Sequence, residues 1–214
     1  YLIQLVRAWQ ENGYFYVQVE LAERGTLKDT LIDLSLQGRC MPDSTVWHVL
    51  HDVSSGLAHI HACGMVHLDI KPANLLVTHS GIVKIGDFGM AAPVGRGQDG
   101  REGDTRYMAP ELLESSDRQT PADVFSLGLT LYELCLPVTP PEDTEHTAME
   151  SDNSHFHHNL HNLPAALIQV GSCLPSEGLL WHILREGKAQ PLHGRPSALQ
   201  NAIVHSMAPR PNDR

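Results

Sequence analysis

The chain has 214 residues, 42% of them hydrophobic, so it is long enough for one globular domain with a buried core. Its 15 basic and 25 acidic side chains give a formal net charge of -10, which argues against general nucleic-acid binding. No apolar run reaches the ~18 residues of a membrane helix, and no signal peptide opens the sequence, so we expect no membrane contact from these residues.

The cysteines are scattered and include no C-x-x-C pair, so we expect free thiols rather than disulfides or zinc ligands. Together with the missing signal peptide, this predicts a cytoplasmic or nuclear location. The chain begins at Tyr1, directly in a strand-like pattern, and we therefore expect it to be a fragment. The cysteines are Cys40, Cys63, Cys135 and Cys173.

Two segments rich in β-forming residues, Leu2–Val6 and Tyr14–Val19, open the chain. Asn12-Gly13 between them is a strong signal for a hairpin turn. The polar stretch from Glu20 to Lys28 then predicts a connecting segment.

A long amphipathic helix is predicted from Ser44 to Cys63, because apolar residues recur there at helical spacing. Pro42-Asp43-Ser44 supplies a capping signal ahead of it. The apolar stripe consists of Val46, Val49, Leu50, Val53, Leu57 and Ile60.

Two short apolar runs, Leu75–Val77 and Val83–Ile85, predict a small two-stranded ribbon. The glycine-rich segment from Met90 to Thr105 lacks apolar periodicity and predicts a loop. Pro121 to Leu136 is apolar on nearly every side, which is typical of a helix buried at the centre of a domain.

The stretch from Thr139 to Leu160 is polar and predicts a disordered or extended insertion. A zinc site among its histidines is an alternative, although polar low-complexity sequence explains them more simply. Beyond it, Leu179–Arg185 and Ser197–Ser206 are predicted to form short helices. The histidines in or beside this stretch are His146, His155, His157, His158 and His161.

Three motifs follow one another along the chain: the run from His67 to Asn74, then Asp87–Gly89, then Ala109–Glu111. Any one of the tripeptides could occur by chance, but the ordered set is very improbable. Together they resemble the catalytic half of a eukaryotic protein kinase. The resemblance covers about Tyr1 to Leu136 well and the remainder weakly.

The resemblance implies an α+β, protein-kinase-like fold, with a mostly helical C-terminal lobe and remnant strands of a truncated N-terminal lobe. The end of the small lobe and the hinge would occupy residues 1–22, and the core of the large lobe residues 23–138. The insertion would occupy residues 139–162, and the remainder of the large lobe, truncated at its C-terminus, residues 163–214.

Phosphoryl transfer needs an aligned nucleophile, a metal ion on the phosphates, and cations where charge develops. By resemblance, the catalytic residues are Asp69, which would accept the hydroxyl proton, and Lys71, which would reach the transferred phosphoryl group of ATP. Asn74 and Asp87 would ligate Mg²⁺ through oxygen. Gly89 would let the backbone turn sharply so that Asp87 faces the phosphates.

The resemblance also implies an adenine site in the hinge that follows Val17. The Glu20 carbonyl and the Ala22 amide would bind the adenine edge, and Leu76 would pack beneath the ring. Val19 would be the gatekeeper residue. Ordinary core packing is the plainer interpretation of Val19 and Leu76.

Two further pairings follow from the resemblance. Asp123 at the start of the central helix would hold the backbone of the His67–Asn74 loop, with a helix N-cap as the plainer role. Glu111 would pair with Arg214.

The segment from Glu102 to Met108 is the most discriminating, because Asp104 stands where many Ser/Thr kinases have Thr. This E-G-D-x-R-Y form resembles the Wee/Myt inhibitory kinases, which phosphorylate cyclin-dependent kinases and delay mitotic entry. Trp181–Gly187 resembles that family's Trp-x-x-x-Arg-x-Gly stretch. We expect Asp104 to pair with Lys71, with a solvated loop acid as the alternative.

Leu68 departs from most kinases, which have Arg between this His and Asp. That Arg commonly receives the activation-loop phosphate, so we predict activity that does not depend on activation-loop phosphorylation. Lys71 favours a Ser/Thr-type loop, but the Wee/Myt group leaves the acceptor hydroxyl open to Ser, Thr or Tyr.

The sequence has no G-x-G-x-x-G loop and no Val-Ala-Ile-Lys strand, so we expect these residues alone to transfer phosphate poorly. Two other classes stay open: another Ser/Thr protein kinase, and a pseudokinase that serves as a binding module. The intact set of Asp69, Lys71, Asn74 and Asp87 argues against the pseudokinase. We expect a monomer whose partner is a protein substrate, namely a cyclin-dependent kinase if the Wee/Myt resemblance holds.

Overall fold

The computed structural model describes residues 1–95, 103–114, 118–136 and 174–214. Within these residues the strands form two-stranded sheets and the helices supply most of the core, which confirms the α+β prediction. The predicted insertion from Thr139 to Leu160, with its histidines, lies outside the described residues. In chain order the elements are β1 (Leu5–Glu11), β2 (Tyr14–Val19), α1 (Leu27–Leu36), α2 (Asp43–Ala62), β3 (Met65–Val66), β4 (Leu75–Val77), β5 (Val83–Ile85), β6 (Ala92–Pro93), α3 (Glu111–Glu114), α4 (Pro121–Cys135), α5 (Leu179–Arg185) and α6 (Ser197–Ser206).

Strands β1 and β2 form an antiparallel hairpin whose turn is Asn12-Gly13, as predicted. Both turn residues have positive φ, 51° and 80°, as a type I′ turn requires. The first strand, however, begins at Leu5 rather than at Leu2. Leu2 instead forms an isolated bridge to Ile85, which ties the start of the chain to β5.

Helix α1 begins inside the Glu20–Lys28 segment, so the prediction that this whole segment is a connector is wrong. A capping box closes its first turn: the Asp29 amide donates to the Thr26 hydroxyl at 3.2 Å, and the Thr26 amide donates to the Asp29 carboxylate at 2.8 Å. The Thr-x-x-Asp spacing was therefore a helix signal in the sequence. The helix packs against a 3₁₀ turn at Pro72–Asn74, which belongs to the first motif.

Helix α2 begins and ends within one residue of its predicted bounds, and its apolar stripe is buried against α4 and β5. Burying each large apolar side chain contributes about 1.5–3 kcal/mol, so this stripe anchors the domain. The predicted capping signal is wrong, because in the described residues no side chain caps this helix, and Asp43 instead binds Arg195 at 2.6 Å. Helix α4 is buried on nearly every side, as predicted.

The predicted ribbon forms from β4 and β5, which pair antiparallel with Leu75 opposite Ile85. The prediction of a loop from Met90 to Thr105 is wrong in part, because Ala92–Pro93 form strand β6 and pair with β3. Strand β3 ends one residue before His67, and β4 begins one residue after Asn74. The two small sheets therefore hold both ends of the first motif.

Helices α5 and α6 have their predicted bounds. Helix α6 lies close to α4 at Gly128, where a Cβ atom would meet the Met207 side chain at 2.7 Å. Arg214 reaches back to Glu111, and its two terminal nitrogens lie 2.7 and 2.8 Å from the carboxylate oxygens. The predicted pairing of these two residues is confirmed.

In the described part of the chain, none of the helices combines the length and apolar character needed to cross a membrane. Cys40, Cys63 and Cys135 are free thiols, as expected, and burial raises the pKa of Cys135 to about 11. Cys173 lies outside the described residues.

Candidate active site

One buried carboxylate, that of Asp123, anchors the backbone of the loop from His67 to Asn74. Asp123, in the first turn of α4, accepts hydrogen bonds from the amides of His67 at 2.9 Å and Leu68 at 2.8 Å. His61 of α2 adds a third bond, with its Nε2 2.8 Å from Oδ2 of Asp123. The prediction that Asp123 holds the loop backbone is confirmed. The alternative role as a helix N-cap is not seen, because in the described residues no side-chain hydrogen bond caps α4.

Leu68 adopts φ of +66°, a left-handed conformation that is uncommon for any residue except glycine. Such a conformation costs about 1–3 kcal/mol and persists only where its surroundings fix it. The bonds that the His67 and Leu68 amides donate to Asp123 supply that constraint. The strained residue directly precedes Asp69, so the constraint sets where Asp69 stands.

His67 is fully buried and joins this loop to the Asp87–Gly89 segment. Its Nδ1 accepts from the Asp69 amide at 3.3 Å, so the proton sits on Nε2, which donates to the Gly86 carbonyl at 3.0 Å. The ring also meets Phe88 edge-on, with centroids 5.1 Å apart. Burial lowers the pKa of His67 by more than the neighbouring carboxylates raise it, which favours the neutral ring.

Asp69 lies at the centre of a small polar cluster. Its Oδ2 accepts from Nζ of Lys71 at 2.9 Å and from Nδ2 of Asn74 at 2.7 Å. Asn74 also donates to the Asp69 carbonyl at 2.8 Å, so the side chain and backbone of Asp69 are fixed together. The structure thus brings together three of the four residues that the first two motifs placed in the site.

The other oxygen of Asp69 faces Gly103. A Cβ atom at Gly103 would lie 3.8 Å from Oδ1 of Asp69 and only 2.8 Å from the Leu68 carbonyl oxygen. Only glycine lets the segment after residue 102 pack this closely on the loop. Asp69 and Gly103 both line a cavity of about 190 Å³.

Asp104 lies beside Lys71, but its main partner is Arg106. Arg106 grips it in bidentate fashion, with Nε 2.8 Å from Oδ1 and a terminal nitrogen 2.6 Å from Oδ2. Nζ of Lys71 lies 3.8 Å from Oδ2 of Asp104, so the predicted Lys71–Asp104 pair is confirmed. This contact is longer than the one between Asp104 and Arg106. Burial would raise the pKa of Asp104, but hydrogen bonds from Arg106 and the charge of Lys71 outweigh it and lower the pKa.

Asp87 itself makes the sharp turn in its motif. Its φ is +54°, whereas Gly89 has no positive φ, so the prediction that Gly89 provides the turn is wrong. Oδ1 of Asp87 accepts from the Gly89 amide at 3.2 Å, and such a local bond lets Asp tolerate the left-handed conformation. The side chain of Asp87 is exposed.

The donor set of Asn74 and Asp87 fits Mg²⁺. The amide nitrogen of Asn74 is engaged by Asp69, which leaves its carbonyl oxygen as the ligand end, and Asp87 offers a carboxylate. Mg²⁺ is usually bound through one or two such oxygens, with substrate phosphates and water completing its shell. The metal-binding roles of Asn74 and Asp87 stay predictions.

The hinge residues approach the β4–β5 ribbon. Glu20 accepts from Nζ of Lys84 at 2.6 Å and from the Gln4 amide at 2.8 Å, and Lys84 pairs with Leu76 across the ribbon. Leu76 packs on Gly86, where an added Cβ atom would collide with the Leu76 side chain. The adenine-binding roles of Glu20, Ala22 and Leu76 stay predictions.

The comparison with protein families decides what this arrangement is. Residues 1–177 match the family model for the protein kinase domain. The chain belongs to the protein kinase family. The predicted kinase-like fold is therefore confirmed, and residues 67–74 and 87–111 can be named the catalytic loop and the activation segment. Protein kinases use ATP with a divalent metal ion and act on protein substrates.

Three relatives show which protein kinases the chain is similar to. The chain is 43% identical over 145 residues to the mitosis inhibitor protein kinase wee1 of Schizosaccharomyces pombe, covering 67% of this chain and 16% of that protein. It is 47% identical over 147 residues to a probable protein kinase of Dictyostelium discoideum, covering 66% and 40%. It is 33% identical over 145 residues to the membrane-associated tyrosine- and threonine-specific cdc2-inhibitory kinase wee-1.3 of Caenorhabditis elegans, covering 66% and 20%.

The chain therefore spans less than half the length of these curated relatives. The resemblance of this kinase to the Wee/Myt group is confirmed by the relatives named as mitosis inhibitors.

Two groups at this site had no assigned role in the sequence prediction. Arg106 was one, although its Asp-x-Arg spacing with Asp104 indicates a local ion pair. The Trp181–Arg185 pair of α5 was the other, and it binds the backbone of the activation segment. Their spacing of four residues places both side chains on one face of a helix, which was the available signal.

Proposed function

We propose that this protein transfers the γ-phosphoryl group of ATP to a hydroxyl of a cyclin-dependent kinase, as a Wee/Myt-like inhibitory kinase in cell-cycle control. The observation that carries the proposal is the Asp69–Lys71–Asn74 cluster with Asp104 beside it, a catalytic loop in the Wee/Myt form. The relatives add support, because their names describe mitosis inhibitors and a tyrosine- and threonine-specific cdc2-inhibitory kinase.

Asp69 is the base in this proposal. Lys71 and Asn74 both bind its Oδ2, so the carboxylate is fixed and Oδ1 is the oxygen that accepts the hydroxyl proton of the substrate. Asp123 holds the backbone behind it, so the carboxylate does not have to reorganise when the substrate arrives.

Lys71 is the cation that contacts Asp69. It is 21% exposed and lies between Asp69 and Asp104, so its ammonium keeps its place without being enclosed. Arg106 neutralises Asp104, which leaves the positive charge of Lys71 to favour the negative charge on the phosphoryl group. Bound ATP with Mg²⁺, which Asn74 and Asp87 would hold, supplies the phosphoryl group and further charge neutralisation.

The proposal extends to a cytoplasmic or nuclear location and a monomeric protein. The free thiols of Cys40, Cys63 and Cys135 support the location, since unpaired cysteines are typical of reducing compartments.

The test is a kinase assay with the full-length protein on a catalytically inactive cyclin-dependent kinase. We expect phosphate on the Tyr or Thr of the substrate's glycine loop, and substrates with Phe and Ala at those positions should not be labelled. Asp69→Asn should lower kcat about 10²–10⁴-fold, since that is the usual contribution of a general base.

Two outcomes would contradict the proposal. Activity only on unrelated Ser/Thr substrates would favour another Ser/Thr kinase. ATP binding without transfer to any protein would favour a pseudokinase that acts as a binding module.

A further inference from the structure

Helix α5 reaches across from the C-terminal part of the chain and binds the activation segment by its backbone. Trp181 donates from its indole nitrogen to the Thr105 carbonyl at 2.9 Å. Arg185 donates to the same oxygen at 2.5 Å and to the Arg106 carbonyl at 3.3 Å. Two side chains therefore converge on the Thr105 carbonyl oxygen. The preceding residue, Asp104, lies beside Lys71.

The two side chains also brace each other. The guanidinium of Arg185 lies 3.8 Å from the centre of the Trp181 ring, and it donates to the Trp181 carbonyl at 3.1 Å. The stacking and the bond from Nη1 to its own helix orient the guanidinium. The other terminal nitrogen, Nη2, then donates to the backbone of residues 105 and 106.

Burying the guanidinium of Arg185 here costs free energy. It is 5% exposed, its Nε has no hydrogen-bond partner in the described residues, and no carboxylate there lies within ion-pair distance. Burial lowers its pKa to about 10. An apolar side chain would fill this space at lower cost if packing were its only role. The contacts that remain are those to the activation segment.

These contacts lead to the catalytic loop by a short route. Arg106, whose carbonyl Arg185 binds, also grips Asp104 through its side chain at 2.6 and 2.8 Å. Asp104 lies 3.8 Å from Lys71, and Lys71 lies 2.9 Å from Asp69. A shift of the backbone at residue 106 would therefore move the partner of Lys71.

We propose that Trp181 and Arg185 form a positioning clamp that fixes Thr105 and Arg106, and through Asp104 sets the place of Lys71 beside Asp69. The clamp rests on the proposed kinase function and deepens it. Their bonds run to the backbone of Thr105 and Arg106, so in this proposal both residues act through others. Losing the clamp should lower kcat while the KM for ATP stays the same.

The experiment uses the full-length protein and measures kcat, KM for ATP and melting temperature for Arg185→Met and Trp181→Phe. Arg185→Met should lower kcat about tenfold or more, because small misplacements near the reacting groups have effects up to ~10²-fold. Trp181→Phe keeps the ring under Arg185 and removes one donor, so its loss should be smaller. It also serves if Arg185→Met fails to fold. Lys188→Met is the matched control, since Lys188 is 70% exposed, and it should leave kcat unchanged.

A double-substitution cycle separates positioning from plain stability. If Arg185 acts through Asp104, then Arg185→Met added to Asp104→Asn should reduce kcat less than twofold further. If the losses in kcat from the two substitutions multiplied in the double variant, the clamp proposal would be wrong. It would also be wrong if kcat were unchanged in both Arg185→Met and Trp181→Phe. A wild-type protein that transfers no phosphate would instead contradict the proposed function, so the two failures are distinguishable.

Discussion

Asp123 determines the geometry of the catalytic loop, although it lies on α4 and outside all three sequence motifs. Its carboxylate is fully buried and accepts from the amide of the strained Leu68 and from the amide of His67 just before it. His61 adds a bond from α2, so the loop is fixed to two long helices at one point. A buried amide that loses its acceptor costs about 1–3 kcal/mol, which makes this carboxylate hard to replace.

We predict that Asp123→Asn lowers the free energy of unfolding by about 2–4 kcal/mol, because an amide group cannot accept from both backbone amides and from His61 at once. It should also lower kcat, since Leu68 loses the constraint on its left-handed backbone. Urea unfolding followed by tryptophan fluorescence measures the first effect, and a kinase assay the second.

Asp33→Asn is the matched control for this prediction, because Asp33 is an exposed acid on α1, and it should leave the unfolding midpoint unchanged. Equal midpoints for the Asp123 variant and the wild type would show that the loop is held by other contacts.

Motifs predicted which residues meet at the site, but not how each is held. Asp69, Lys71 and Asn74 lie within one loop, so local spacing already brings them together. The grip of Arg106 on Asp104, and the positive φ of Asp87, depend on burial and on local hydrogen bonds. A one-letter pattern does not record either of these, which is why the turn was assigned to Gly89.

The activation segment places neighbouring hydroxyls in opposite environments. Thr105 is exposed, whereas Tyr107 is 5% exposed and donates from its hydroxyl to Glu133 at 2.5 Å. Ser126 also donates to the Tyr107 carbonyl at 2.8 Å, which fixes the backbone at that point. Thr105 is thus the accessible acceptor of the two, and Leu68 offers no cation to a phosphate there.

We predict that Thr105→Ala leaves kcat within about twofold of the wild type, because the segment is held by its backbone and not by a phosphate. Phosphatase treatment of the full-length protein should likewise leave the rate unchanged. A large loss after either treatment would show that the segment needs a phosphate after all.

We predict a different effect for Tyr107→Phe, a substitution in the same segment as Thr105→Ala. It removes the bond to the buried Glu133 carboxylate, so it should lower the free energy of unfolding by about 1.5–3 kcal/mol. An assay that scored both residues only by activity would confuse this loss of stability with loss of a phosphorylation site.

Elements with long local periodicity were predictable, and those that depend on distant partners were not. Helices α2 and α4 each carry enough apolar spacing to fix their bounds, and both were predicted to within about a residue or two. Strand β6 has only two residues and forms because β3 lies beside it, which no local signal records. Helix α1 was missed although its capping box was present in the sequence.

Buried arginines from the C-terminal part of the chain tie separate segments of the molecule together. The side chain of Arg214 is fully buried, binds Glu111 with two bonds and also donates to the Pro121 carbonyl at 2.9 Å. Arg195 donates to the Met41 carbonyl at 2.6 Å, just ahead of α2. Each guanidinium therefore joins segments of the chain that are far apart in sequence.

Arg195 joins three parts of the chain that are far apart in sequence. Besides Met41, it binds the Asp43 carboxylate at 2.6 Å and the Cys135 carbonyl at 3.0 Å, at the end of α4. Its side chain is 11% exposed, so removing it takes a buried donor from the Met41 and Cys135 carbonyls, and a cation from Asp43, whose side chain is 35% exposed. We predict that Arg195→Met lowers the free energy of unfolding by about 2–4 kcal/mol, within the range for breaking buried charged contacts.

Chemical denaturation of the Arg195→Met protein checks this value, with Arg210→Met, an exposed arginine of the same region, as the matched control. The control should unfold at the wild-type denaturant concentration. Because the contacts of Arg195 span α2 and α4, its loss should destabilise the whole domain, and fluorescence and circular dichroism should report one common transition. Separate transitions, or a midpoint equal to that of the control, would mean that the packing of α2 on α4 suffices without this arginine.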